Sequence, residues 1–301
     1  MHLCLVYPYT KKKAFLFSLC TGILYSMKRF TYNRWFPTPR SLRMSAVGLD
    51  ISDTSLRIAE LVPRHHELEL ARFGRESLAD GVIESGKIIN AEELKKSLRI
   101  LKKKYDLSYV RASLPEEQVY LFHIFVPRSE SSSIRSFIEI QLEEHIPISA
   151  AEAVFDYEVF YETPDGYDVE VCSIPQAIIF EYTSLLKDAG LTPVGFELEA
   201  QSIARAVVPR DERITAMVID FGDTRTGLSV VSNGTVLFTS TIDFGGRMLT
   251  HLVEKNFNIP FAEAEKMKRT MGLQRNSENH ELFPVLLNGL SVVRDEINKM
   301  Y

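Results

Sequence analysis

The sequence predicts an α/β protein built as two lobes, and three observations carry that prediction. One structural plan occurs twice: an apolar strand ends in aspartate, turns through small hydroxyl residues and returns as a second strand, at residues 48–55 and again at 219–226. Each three-strand meander is followed by helical patterns, so strands and helices are mixed along the chain. The 301 residues suffice for two domains of ordinary size, each with its own core.

The elements follow in order. Residues 46–51 (AVGLDI), 55–61 (SLRIAEL) and 68–73 read as a three-stranded meander joined by short turns. Asn90 caps a helix whose Leu94, Leu98 and Leu101 share one face while lysines fill the other. Residues 110–114 and 119–125 read as strands around the Leu114-Pro115 turn, and 133–145 as a helix ending before Ile146-Pro147. Strands at 155–161 and 167–174 pair across Thr163-Pro164-Asp165-Gly166. A helix at 175–189 is stopped by Gly190, a strand follows at 193–198 and a helix at 199–207, and the polar stretch 209–213 marks the lobe boundary. Beyond it, 215–220, 226–232 and 235–243 repeat the opening meander, with Asn233-Gly234 as a tight hairpin turn. Gly245-Gly246 leads into a helix at 247–257, and 261–271 forms another.

Charge and composition narrow the function. A net charge of -5 gives no electrostatic case for nucleic acid. Three cysteines are too few for a disulfide framework or a metal knuckle, which points to a reducing compartment. Residues 1–43 stand apart, with eight Lys/Arg, no Asp or Glu and nine aromatics. Lys11-Lys12-Lys13 and the apolar run 14–25 imitate the start of a signal peptide, but no small-residue cleavage site follows. The run is also shorter than the ~20 residues a membrane helix needs. Met44 directly precedes the first strand and is the expected functional start, with a membrane-surface anchor as the alternative role of 1–43.

The duplicated hairpins carry the chemistry. Backbone N–H groups of two hairpins facing across a cleft can cradle phosphate oxygens, and Asp50 and Asp220 could hold Mg2+ through its waters. Each hairpin alone is also what a simple turn former would produce. No GxSxG elbow, Walker A loop or HExxH motif occurs, His65-His66 falls in a predicted exposed turn, and Cys172 lies in an apolar strand.

These hairpins resemble the phosphate 1 and phosphate 2 motifs of the actin/Hsp70/sugar-kinase superfamily. From Met44 onward the chain resembles the PilM family of type IV pilus assembly proteins, relatives of the division protein FtsA. The resemblance rests on 110–127 with its Phe125-Val126-Pro127 end, 138–147 (IEIQLEEHIP), Phe155-Asp156-Tyr157, Ser173-Ile174-Pro175, 243–250 (DFGGRMLT) and 262–268 (AEAEKMK). It implies an actin-like (ribonuclease H-like) fold of two lobes with an inserted α+β subdomain. The expected boundaries are 44–210 for the first lobe, with the insertion at about 84–167, and 211–301 for the second. The second lobe is expected to be incomplete, since only Gly272 and Gly289 follow Gly246 where the family has a late Gly-Gly turn against adenine.

The resemblance further implies ATP and Mg2+ as cofactors. Asp50 and Asp220 would hold the metal, Ser52, Thr54, Gly222, Thr224, Gly245 and Gly246 would line the phosphates, and Glu265 and Lys268 would approach the ribose. Glu265 and Lys268 read equally well as an i,i+3 ion pair on a helix face. Three departures predict weak nucleotide binding: Ser52 stands where the family has glycine, and Asp53 and Asp223 bring carboxylates toward a triphosphate.

The implied role is a cytoplasmic scaffold, peripheral at the inner membrane through its partners, with no catalytic residue and at most weak ATPase activity. Its implied partner is the cytoplasmic tail of a PilN-type bitopic membrane protein. That tail would lie extended between the base of the first lobe and the inserted subdomain, near 119–125 and 155–161. Nucleotide-dependent docking, contacts with other pilus assembly proteins and self-association belong to the same implication. An FtsA-like filament former and a phosphotransferase of the superfamily are the alternatives.

Overall fold

A computed structural model describes residues 46–64, 67–128, 133–208, 214–273 and 279–299, and the backbone of residues 3–9. Strand β1 (Leu3–Tyr9) opens the chain but belongs to the second lobe. The first lobe begins with the predicted meander of β2 (Val47–Ser52), β3 (Ser55–Arg64) and β4 (Glu67–Ser77). The last two strands run beyond their predicted ends because they pair with each other to the tip, Arg64 opposite Glu67. Alternation decides the faces: Val47, Leu49 and Ile51 are buried, as are Leu56 and Ile58 on the neighbouring strand.

A short ribbon of β5 (Ile83–Glu84) and β6 (Lys87–Ile88) precedes helix α1 (Ala91–Tyr105) and strand β7 (Tyr109–Leu114), which runs parallel to β2. The Asn90 side chain accepts from the Glu93 N–H at 3.1 Å, and Leu94, Leu98 and Leu101 are fully buried, as the cap and stripe predict.

The chain then builds a smaller antiparallel sheet from β8 (Tyr120–Pro127), helix α2 (Ile134–His145), β9 (Ala153–Glu162) and β10 (Gly166–Pro175), in the order β8-β10-β9. Ile124, Val126, Ile138, Leu142, Val169 and Val171 give it a core of its own. The sequence puts the inserted unit at about 84–167. In the structure, α1 and β7 bury Leu94, Leu98, Leu101, Val110 and Ala112 in the core of the first lobe, so the separately cored sheet spans 120–175. Helix α3 (Gln176–Asp188) returns to the first lobe, and β11 (Thr192–Leu198) adds parallel to β7, completing the order β11-β7-β2-β3-β4. Helices α1 and α3 pack into the core on one face of this sheet. Its other face carries Leu61, Leu70 and Phe73, which are 57%, 52% and 68% exposed.

Helix α4 (Glu199–Val207) crosses to the second lobe, where Ala200 and Ala204 pack on Ala216, Val218, Val231 and Val236. There β12 (Thr215–Phe221), β13 (Thr226–Ser232) and β14 (Thr235–Ile242) repeat the meander. Asn233 and Gly234 both take positive φ, 54° and 85°, as a two-residue hairpin turn of the primed type requires. The sequence assigns residues 1–43 no place in the fold. The structure lays β1 antiparallel along β12, Leu3 opposite Phe221, because a free strand edge accepts the backbone of any extended segment. Residues 10–45 lie outside the described residues, as do 65–66 and 209–213, where the sequence predicts an exposed turn and the lobe boundary.

Helices α5 (Gly246–Phe257), α6 (Phe261–Met271) and α7 (Leu282–Lys299) cover the other face of this sheet. The last helix is not among the elements read from the sequence, since Pro284 and Gly289 interrupt its Leu282, Leu286, Val293 stripe. Pro284 falls in the first turn, where a missing N–H costs no helical bond. Gly289 lets α7 approach α5, since a Cβ there would come within 2.6 Å of Leu249.

Candidate functional site

The two aspartate-bearing hairpins face a common cleft between the lobes. Asp50 on β2 accepts from the Ser113 hydroxyl at 3.0 Å and lies 3.6 Å from Arg57. Asp220 lines the cleft from β12, and both aspartates act electrostatically on Glu199 at the start of α4. Ser52, Thr54, Gly222 and Thr224 line the same cleft. Gly245 and Gly246 stand behind the second hairpin: the Gly246 N–H donates to the Gly222 carbonyl at 2.9 Å, and the Arg247 N–H to the Asp223 carbonyl at 2.8 Å.

Glu265 and Lys268 join α6 to the start of α5. The Lys268 ammonium donates to the Gly246 carbonyl at 2.6 Å and to the Thr250 hydroxyl at 2.7 Å, and pairs with Glu265 at 2.6 Å. Burial disfavours the Glu265 charge, but hydrogen bonds from Lys268, Thr250 and Arg269 outweigh it and hold this carboxyl at about 2. The pair therefore clamps two helices as well as forming the i,i+3 contact its spacing predicts.

Five charged residues that the sequence pattern does not single out complete the cleft: Arg57, Glu116, Glu117, Glu199 and Arg225. Burial, then the neighbouring Glu117, pushes the Glu116 carboxyl up to about 7. Burial, then Asp50, pushes Glu199 up to about 8. Burial works against the Arg225 charge, and Glu117, Asp53 and Glu199 outweigh it. A signal was available in the two glutamates after Leu114-Pro115 and in the glutamate that opens a helix directly after a strand.

This arrangement does not fit ATP and Mg2+. The cleft is narrow and partly open, with a cavity of about 50 Å³ at its centre. The donors that would meet phosphate are engaged internally: the Ser52 hydroxyl bonds the Ser55 carbonyl at 2.9 Å, and the Thr224 hydroxyl bonds Asp53 at 3.1 Å.

A second candidate surface lies on the small sheet, where β8 and β9 are both edge strands. Val154, Val159, Phe160 and Tyr161 of β9 are exposed. Behind them, Glu170 of β10 is buried and accepts from the Gln201 amide of α4 at 2.7 Å. Burial pushes the Glu170 carboxyl up to about 7 and lowers the pKa of His123, 3.8 Å away. Burial also raises the Cys172 thiol to about 12, which keeps it unreactive.

Known proteins share this fold. The family described as "Type IV pilus assembly protein PilM" matches residues 48–299. The cell division protein FtsA of Buchnera aphidicola subsp. Baizongia pistaciae (strain Bp) is 31% identical over 77 residues, a match covering 25% of this chain and only 18% of that relative's length. Among solved structures, a PilM-PilN type IV pilus biogenesis complex superposes with a TM-score of 0.71 at 21% identity, covering 86% of this chain and 76% of that one. The ethanolamine utilization protein EutJ from Carboxydothermus hydrogenoformans gives a TM-score of 0.50 at 18% identity, covering 85% of this chain and 72% of that one. MreB5 of Spiroplasma citri bound to ADP also gives 0.50, at 13% identity, covering 84% and 77%. At these identities the structural likenesses establish an actin-like fold. The family match runs through both lobes and the small inserted sheet, and on that ground the chain belongs to the Type IV pilus assembly protein PilM family.

Proposed function

We propose that this chain is a cytoplasmic actin-like scaffold of a type IV pilus inner-membrane assembly complex, and that it docks the cytoplasmic tail of a PilN-type bitopic membrane protein. The family match over 48–299 carries this reading, and the likeness to a PilM-PilN complex supports it. An extended tail needs a strand edge for its backbone and apolar ground for alternate side chains, and β9 offers both with Val159 and Tyr161. The scaffold is held peripherally at the inner membrane by that partner. Among the described residues, no helix is long and apolar enough to cross a membrane. Other pilus assembly proteins and further copies of the chain use the remaining surfaces.

ATP and Mg2+ are weak ligands at most in this reading, because the Ser52 and Thr224 hydroxyls are already engaged within the chain. Docking is independent of them, because β9 lies outside the cleft.

The test is a fluorescence anisotropy titration of the full chain against a labelled peptide of the PilN-type tail from the same organism. Saturable binding that is lost in Val159→Lys and Tyr161→Asp, with unchanged circular dichroism, is expected. No binding by a demonstrably folded chain ends the reading, and pelleting on addition of nucleotide would favour the filament former.

A further inference from the structure

Opposite charges from the two lobes meet at one point in the cleft. Arg225 follows Thr224 in the second hairpin, and its guanidinium pairs with Glu117 and lies 3.8 Å from Asp53 at the tip of the first hairpin. Arg225, Glu117 and Asp53 are only 14%, 19% and 10% exposed, so salt and water screen them little. Both oxygens of Asp53 are engaged: the Gly86 N–H donates to Oδ1 at 3.2 Å, and the Thr224 hydroxyl to Oδ2 at 3.1 Å. A backbone amide and a threonine hydroxyl converging on an anionic oxygen pair is the environment such hairpins would offer a phosphate. A second bridge stands at the rim, where Arg247 donates to Asp80 of the first lobe at 2.6 Å and to Asp223 of the second at 3.3 Å.

We propose that Asp53 and Arg225 form an intramolecular tether that takes the place of a nucleotide, Asp53 supplying the anion and Arg225 its countercharge, so that the chain closes its own cleft. Asp53 and Asp223, the hairpin carboxylates that would repel a triphosphate, are each neutralised by an arginine of this chain. An entering triphosphate would have to displace the Asp53 carboxylate from Thr224 and separate Arg225 from Glu117. It would then face Asp220 in a narrow cleft already lined by the Glu116 and Glu199 side chains. The tether draws the two hairpins together with charges of this chain alone.

Hydrogen exchange by mass spectrometry on the full chain tests the tether. In the wild type, about 1 mM Mg·ATP should leave both the exchange of 50–55 and 220–226 and the melting temperature unchanged, as expected where no ligand binds the native state. Arg225→Gln should speed exchange in both hairpins about tenfold or more, because opening the cleft exposes them together. Glu117→Gln should reproduce part of that effect, the double variant should exchange no faster than Arg225→Gln alone, and Arg225→Lys should retain most of the protection. Wild-type exchange rates in Arg225→Gln would overturn the proposal, as would a clear rise in wild-type protection or melting temperature with Mg·ATP. If circular dichroism shows Arg225→Gln unfolded, Glu117→Gln decides by the same readout.

Discussion

Gln201 and Glu170 meet across the seam between α4 and the small sheet, the glutamine amide donating to the carboxylate at 2.7 Å. Two residues earlier on the same helix, Glu199 lines the interlobe cleft. A single turn of α4 thus touches both the cleft and the sheet proposed to receive the partner. The contact is poorly compensated: Glu170 is 3% exposed, and neither its second oxygen nor the facing His123 Nε2 has a hydrogen-bond partner among the described residues. Burial without full hydrogen bonding favours the neutral carboxyl.

Burial thereby lifts the Glu170 carboxyl to about 7 from an unfolded value of 4.5. The folded state keeps a proton that the unfolded chain releases, so stability falls as pH rises from 4.5 toward about 7. Glu170→Gln preserves the shape and cannot ionise. It should stabilise the protein by about 2 kcal/mol, a few degrees in Tm, at mildly alkaline pH, with little change near pH 5. Thermal melts at the two pH values check this, and equal shifts at both would contradict it.

The cleft carboxyls carry the same sign. Glu116 titrates at about 7 and Glu199 at about 8 in the folded state, so the wild type should lose stability steadily from weakly acidic to weakly alkaline pH. Glu199→Gln should flatten that slope above neutrality, and Glu116→Gln with Glu199→Gln should flatten it further. Melting temperature plotted against pH for the three proteins measures the effect.

Gly245 tests how tightly the second hairpin is seated. A Cβ at this position would lie 2.6 Å from the Asp223 carbonyl oxygen and 2.8 Å from the Arg225 nitrogen, both backbone atoms that cannot rotate away. Gly245→Ala should cost about 1–3 kcal/mol, the usual range for forced overpacking. Gly195→Ala is the control, since a Cβ there meets nothing within 4 Å. A calorimetric scan should separate the two.

The Lys268 clamp gives an acid-side prediction. Glu265 titrates at about 2, below its unfolded 4.5, so its stabilisation is present above pH 4.5 and disappears as pH falls toward about 2. Lys268→Met keeps the apolar stem and removes the ammonium. The variant should lose about 1 kcal/mol at neutral pH, a modest figure for a partly exposed pair, and should be less sensitive to acid below pH 4.5 than the wild type. Acid titration followed by circular dichroism tests both parts.

The sequence reveals the fold to the extent that local pattern determines it. The β2–β3 and β12–β13 hairpins, the Asn90 cap and the strand at 193–198 all follow from periodicity and turn chemistry, which act over a few residues. What escapes is decided across the chain. Helix α1 looks like part of an insertion until Leu94, Leu98 and Leu101 are seen to share a core with Val47 and Leu49. Arg225 is an ordinary turn residue in the sequence, and its charge acquires meaning only opposite Glu117 and Asp53, more than a hundred residues away. Lys268 reads as a nucleoside contact or a helix pair, and only the Gly246 carbonyl 2.6 Å from its ammonium reveals the clamp.

The uncovered outer face of the β3–β4 hairpin also shapes how the protein behaves in bulk solution. Leu61, Leu68, Leu70 and Phe73 stand together in water there, an oily strip wider than scattered single residues would make. A net charge of -5 repels neighbouring copies at low ionic strength, but added salt screens that repulsion while sulfate strengthens apolar contact. The protein should therefore salt out early and reversibly with its fold intact. Phe73→Ser should raise the ammonium sulfate needed for precipitation and leave the melting temperature nearly unchanged, so one exposed ring sets the colloidal limit of the chain.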